Sequence, residues 1–262
     1  MLELHHNNMS VCAQKVRLVI RAKNLAVTEH HLNLRQGDQL EAAYLALNPL
    51  GVVPTLIHDG RPIVESTLIC EYLDEAFPET ALRPGDLVER AAMRRFANIP
   101  DQGLHAACGT VSSAIAFRHQ YLARPKAELE DNIRRTPDPA RRERKRMTIK
   151  MGMEAPFVPD AIRLYDGVLA RIETRLGEGR DWLAGNDYSL AEAGLTPYVA
   201  RLDQLNLASM WDRRPNLAAW YERICVRDSF AGIADYLDDG YLSLMAEQGA
   251  KARHAVDAAL AV

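Results

Sequence analysis

One change of pattern constrains this chain more than any other. Up to about residue 80 it alternates short strand-like and helix-like segments, and after Pro84-Gly85 the strand signal disappears. Leu2–His5 reads as a strand, and Ser10–Asn24 as a helix with Val11, Lys15, Leu18 and Ala22 at spacings of three to four. Val27–Leu34 reads as a second strand and Asp38–Leu47 as a short helix closed by Asn48-Pro49. Pro54–His58 and Arg61–Val64 flank Asp59-Gly60, a strong hairpin signal. A helix over Thr67–Ala76 then ends before Pro78. The order βαβαββα predicts a mixed sheet with helices on its faces.

Beyond Pro84-Gly85 the chain reads as all-helical, with helices over Asp86–Ala123, 160–176, 189–206 and 215–226. Two domains are expected, 1–80 and 86–262. Residues 124–160 carry Pro125, Pro137, Pro139, Pro156 and Pro159 and the basic run Arg141–Arg146, so they predict a loop or broken-helix excursion. The Ala-rich stretch Ser243–Val262 suits a last helix.

Composition narrows the function classes. A formal net charge of -3 on 262 residues leaves no basic footprint for nucleic acid. No apolar run approaches the ~20 residues of a membrane span, and no secretion signal follows Met1. Cys12, Cys70, Cys108 and Cys225 form no CxxC pair, which argues against a disulfide framework or a zinc ribbon. A soluble protein of a reducing, cytoplasmic compartment is expected. His5-His6 and His30-His31 are neighbours along strands, so each pair points to opposite faces, and no metal site is expected.

The chemistry-bearing features cluster in the first 80 residues. Ser10 opens the first helix, where a hydroxyl either caps the helix or donates to an anion at its N-terminus. Val53-Pro54 opens the third strand, either as edge protection or as a cis bond that turns the Val53 backbone toward an extended ligand. Glu65-Ser66 joins a strand to a helix. A carboxylate could sit on that helix end and an ammonium on Glu65, which together describe an amino-acid head group. Ser189 with Glu192 is a capping box and carries no chemistry.

The run Ser10-x-Cys12-x-Gln14-Lys15-Val16-Arg17, the stretch Asn48–Leu56, the Glu65-Ser66-Thr67 junction and the Ser189–Glu192 box resemble, in order and spacing, the cytosolic glutathione S-transferases. That resemblance implies a thioredoxin-like N-terminal domain that binds glutathione and an all-α C-terminal domain that takes a hydrophobic, aromatic electrophile. It places Ser10 as the thiol-activating residue and Val53, beside a cis-Pro54, against the cysteinyl backbone. Glu65 and Ser66 would hold the γ-glutamyl head and Gln39 the glycine end. Asn8, Cys12 and His105 are accessory candidates. Cys12 is the rival thiol, which would make the protein a reductase or peroxidase, although two helical residues turn it ~200° from Ser10. The long segment between the first helices of the C-terminal half is similar to a bacterial branch that includes glutathione-dependent β-etherases. The resemblance also implies a homodimer with a role in detoxification. A non-catalytic glutathione-binding module on the same fold stays open.

Overall fold

The computed structural model describes residues 1–261. Four strands, β1 (Leu2–His6), β2 (Thr28–His31), β3 (Thr55–His58) and β4 (Arg61–Ile63), form one sheet in the order β2-β1-β3-β4. β1 and β2 run parallel, joined by helix α1 (Val11–Ala22), whereas β3 runs antiparallel to both β1 and β4. This is a thioredoxin-like sheet. Alternation explains its register. Leu2, Leu4 and His6 are buried on one side of β1, while Glu3 and His5 face the other.

α1 and α3 (Ser66–Ala76) cover the buried side, each with its apolar stripe inward: Val16, Leu18, Val19 and Ile20 from α1, Ile69 and Leu73 from α3. The segment predicted as one helix over Asp38–Leu47 is split into a 3-10 turn (Asp38–Leu40) and α2 (Ala42–Leu45), because Glu41 between them is extended. Beyond the sheet every regular element among the described residues is helical. The helix predicted over Asp86–Ala123 is interrupted: α4 (Leu87–Ala97), a 3-10 turn at Pro100, α5 (Leu104–Ser112), a π-helical turn over Ser113–Phe117, and α6 (Arg118–Leu122). Pro100 cannot donate a helical hydrogen bond, and Gly103, at φ +116°, takes a backbone that side chains disfavour.

The expected excursion over 124–160 is itself mostly helical, with α7 (Lys126–Arg134) and α8 (Pro139–Met151). Pro125 precedes α7 and Pro139 opens α8 behind an Asp138 cap, positions where a missing N–H is harmless, while Pro137 lies in the break between the two helices. α9 (Val158–Leu176), α10 (Leu190–Gln204), α11 (Pro215–Cys225), α12 (Ala231–Ala234) and α13 (Asp239–Leu260) follow. α13 contains nearly all of the expected last helix, of which Val262 lies outside the described residues.

Packing divides the chain into two compact units. One comprises Met1–Gln102, Ala170–Val199 and Trp211–Leu237; the other comprises Gly103–Leu169, Ala200–Met210 and the chain from Asp238 onward. In the first, the capping box is built as the sequence suggests. The fully buried Glu192 accepts from the Ser189 N–H (2.9 Å), the Ser189 hydroxyl (2.6 Å) and the Leu183 N–H (2.7 Å). In the second, α13 passes so close to the turn at Leu205 that a Cβ on Gly249 would overlap the Leu205 carbonyl. Among the described residues no helix is long and apolar enough to cross a membrane.

Candidate functional site

Strand register gathers the predicted residues at one end of the sheet. β1 ends at His6 and leads to Ser10. β3 begins at Thr55, which pairs with His5, so Val53-Pro54 arrives at that same end. β4 ends at Ile63, paired with Leu56, and delivers Glu65 and Ser66 there too. Three separate stretches of sequence therefore meet without any long loop.

Ser10 caps α1. It is extended (φ −74°, ψ 116°) and its Oγ accepts the Ala13 N–H at 3.3 Å. A hydroxyl carries one donor and two acceptor sites, so this bond uses an acceptor site and leaves the proton for another group. The Val53-Pro54 peptide bond is cis. Among the described residues neither the N–H nor the C=O of Val53 has a hydrogen-bond partner. The bend around it is held from below. Tyr44 donates to the Val52 carbonyl (2.6 Å) and pairs with the Thr55 hydroxyl (2.9 Å), while Asn48 donates to the same carbonyl (3.0 Å).

Glu65 is exposed and adopts φ +70°, which is uncommon for a residue with a side chain. It stands at the N-cap of α3 but makes no side-chain cap bond, so the first amides of α3 are left to other partners. Ser66 is buried. Its hydroxyl accepts from the Lys15 Nζ at 3.1 Å, and the Thr67 hydroxyl accepts from the same nitrogen at 2.7 Å. Lys15 is only 1% exposed, and it is a candidate the sequence reading missed. The signal was present, since Lys15 occupies a position on the apolar stripe of α1, where a lysine needs a partner.

Arg17 was likewise missed. From α1 it donates to the Asn8 carbonyl (2.9 Å), the Asn7 carbonyl (3.3 Å) and the Gly232 carbonyl (2.8 Å), and its Nη1 lies 2.9 Å from His6 Nδ1. It thus grips the turn that leads into Ser10. Burial, with the Arg17 guanidinium next, pushes the His6 pKa down to about 3, so the ring is neutral and its Nδ1 can accept from Arg17. His6 Nε2 then faces the Glu29 carboxylate at 3.1 Å.

The remaining candidates fall as follows. Gln39 sits in the 3-10 turn with its Oε1 buried and without a partner. Asn8 is half-buried in the turn before Ser10, its carbonyl taken by Arg17. Cys12 is half-buried with its Sγ 3.9 Å from the Tyr198 hydroxyl on α10. His105 is exposed on α5, in the second compact unit. Burial pushes the Cys70 thiol up to about 12, so it stays protonated at neutral pH and is no nucleophile. A cavity of about 340 Å³ lies elsewhere, between Leu82–Glu89 and Arg180–Ser189, and holds none of the candidates. Its Glu89 is fixed by Arg175, Arg180 and the Gly185 N–H.

Neighbouring histidines along one strand point to opposite faces, and the parallel register places His5 directly beside His30 on the adjacent strand. Glu3 shares their face, and the three side chains bring their ligand atoms within 4.8 Å of one another.

Comparison with known proteins gives this arrangement its context. Residues 4–81 match the family model described as the glutathione S-transferase N-terminal domain, and residues 139–223 the corresponding C-terminal domain. Protein LigF of Sphingobium sp. strain SYK-6 is 30% identical over 215 residues, covering 78% of this chain and 82% of LigF. The chain belongs to the glutathione S-transferase family. The crystal structure of the β-etherase LigF from that strain superposes with a TM-score of 0.81 at 26% identity, covering 90% of this chain and 99% of LigF. A glutathione S-transferase of Methylobacillus flagellatus, solved with glutathione bound, gives a TM-score of 0.62 at 26% identity and covers 89% of this chain and 99% of its own. A tetrachloro-p-hydroquinone reductive dehalogenase of Sphingobium chlorophenolicum is 26% identical over 87% of this chain and 94% of its own. As a member of this family the protein is an enzyme that uses glutathione.

Proposed function

We propose that this enzyme activates the glutathione thiol through Ser10 for attack on a hydrophobic, aromatic electrophile. The observation that carries the reading is the α1 entrance, where the Ser10 hydroxyl accepts from Ala13 and keeps its own proton for a thiolate. A thiol such as that of glutathione has a pKa near ~8.5, and lowering it by ~2 units takes ~2.7 kcal/mol. The helix N-terminus supplies ~0.3–2 kcal/mol and a hydroxyl hydrogen bond to a charged acceptor roughly 1.5–3 kcal/mol. No base or metal is needed. Val53 would pair its unpartnered N–H and C=O with the cysteinyl backbone. Glu65 and Ser66 would meet the ammonium and carboxylate of the γ-glutamyl head, and Gln39 would donate its side-chain amide N–H to the glycine carboxylate. Asn8 would stand by as a further amide donor near the sulfur. The same reading, on family resemblance, takes the protein as a cytoplasmic homodimer.

Lys15 sharpens this assignment. By donating to both Ser66 and Thr67 it turns their hydroxyl protons away from itself, toward a ligand carboxylate. Lys15→Met should raise the KM for glutathione about tenfold, ~1.4 kcal/mol, and change kcat much less. An unchanged KM in a folded Lys15→Met protein would remove Ser66 from the head-group site.

Within this chemistry, cleavage of a β-aryl ether is favoured by one observation, the match to LigF over 90% of this chain. In that reaction the thiolate attacks the carbon next to a ketone, a C–S bond forms, and the C–O bond breaks. The aryloxide leaves with the electron pair and takes a proton from water. A panel containing an aryl-ether ketone and a chloronitroaromatic, assayed with and without glutathione, decides between the readings. Glutathione-dependent phenol release from the ketone supports the etherase. Conjugation of the chloronitroaromatic alone supports a general transferase. Saturable glutathione binding with no turnover on any electrophile would make the protein a binding module.

A further inference from the structure

We propose that Glu3, His5 and His30 form a binding site for one divalent transition-metal ion of the zinc, nickel or copper type, on the face of the sheet away from α1 and α3. The parallel pairing of β1 with β2 sets His5 opposite His30, and their rings stack with centroids 4.5 Å apart at 18°. Glu3, two residues before His5, projects to the same face, and its Oε2 lies 2.8 Å from His30 Nε2. All three donor atoms lie within 4.8 Å of one another.

Donors around a tetrahedral zinc sit roughly 3.3 Å apart, given metal–ligand distances of ~2.0–2.2 Å. Side-chain rotation closes the difference, because the strand pairing already fixes the backbone. Two imidazoles and one carboxylate select borderline ions over magnesium or calcium, which prefer all-oxygen sets. Three protein ligands leave the remaining positions to water. Side-chain exposures of 41% for His30 and 28% for Glu3 give an ion a path in.

The neighbouring histidines offer no equivalent. His6 lies on the other face and is engaged by Arg17 and Glu29. His31 shares that other face through its pairing with His6. The ring of His5 is backed by Tyr44, 5.9 Å away and tilted, whose hydroxyl is engaged by Thr55. The site therefore lies on rigid strands with an anchored neighbour. A bound ion would tie the edge strand β2 to the strand that leads into Ser10.

The test uses the full chain in thiol-free buffer without glutathione, titrated with zinc chloride by calorimetry. One ion per chain at micromolar affinity is expected, together with a raised melting temperature. His5→Gln, His30→Gln and Glu3→Gln should each weaken binding at least tenfold, and His31→Gln should leave it unchanged. Copper loaded at one equivalent should show nitrogen coupling in its electron paramagnetic resonance spectrum, and lose it in the double variant of His5 and His30. Iodoacetamide treatment, which blocks accessible thiols, should preserve binding. No saturable binding, or binding that survives His5→Gln and His30→Gln or vanishes on alkylation, would overturn the proposal.

Discussion

Ser10→Ala is expected to lower kcat by roughly ten- to a hundredfold while moving the KM for glutathione by less than about threefold. The lost interaction is one hydroxyl hydrogen bond to a thiolate, ~1.5–3 kcal/mol, and every ~1.4 kcal/mol is a factor of ten in rate. The alanine leaves the rest of the α1 N-terminus in place, so part of the thiolate stabilisation survives. It also removes the cap on Ala13, worth ~1 kcal/mol of stability, which a melting curve reports separately. The decisive reading is the pH profile of kcat/KM. If Ser10 stabilises the thiolate, the apparent pKa of the bound thiol moves up toward its free value in the variant. A wild-type pH profile and turnover in Ser10→Ala, with activity lost in Cys12→Ser, would instead move the chemistry to Cys12.

What the sequence made legible depended on whether neighbours along the chain were also neighbours in space. The βαβαββα order, the Asp59-Gly60 hairpin and the Ser189–Glu192 box are local patterns, and each appears in the structure. The broken helix after Asp86 was misread because alanine and arginine propensity outweighed Pro100 and Gly103, although both are recognised interrupters. Of the prolines over 124–160, Pro137 lies in the break between α7 and α8, whereas Pro125 and Pro139 sit at helix starts, where a proline does not interrupt a helix. The larger omissions were long-range. Lys15 reaches Ser66 across 51 residues and Arg17 reaches Gly232 across 215, and no period or motif in one sequence announces such partners. His5 and His30 meet only through strand register, which hydrophobic alternation suggests but does not fix. In each case a polar residue on an otherwise buried or paired surface was the available hint, while its partner was not.

Arg17→Met should be the most damaging single substitution in the N-terminal unit, for stability and for turnover together. The guanidinium is 1% exposed, packs 4.1 Å from the Tyr236 ring, and serves three carbonyls and one imidazole. Methionine keeps much of the volume but strips the Gly232 carbonyl and His6 Nδ1 of their partner, at about 1–3 kcal/mol each and less than additively. It also removes one of two donors from the Asn7 and Asn8 carbonyls, which keep the Ser10 N–H (3.1 Å) and the Gln14 side-chain amide (3.4 Å). A loss of at least about 3 kcal/mol is expected, which for a chain of this size is a fall in Tm of roughly 6–12 °C. Lysine cannot rescue it, because a single ammonium cannot reproduce a planar fork that reaches Asn7, Asn8 and Gly232 at once. The functional effect follows from two of those carbonyls, which belong to the turn immediately before Ser10. With the turn released, Ser10 no longer holds its orientation at the α1 entrance, so kcat should fall even at temperatures where the variant is fully folded. Asparagine at Tyr236 is the useful contrast. It removes the ring but leaves every Arg17 hydrogen bond, so it should lower Tm by less than Arg17→Met and leave kcat near the wild-type value. If Arg17→Met loses stability but keeps full turnover below its Tm, the turn before Ser10 is held by something other than Arg17, and the residue is purely a packing element.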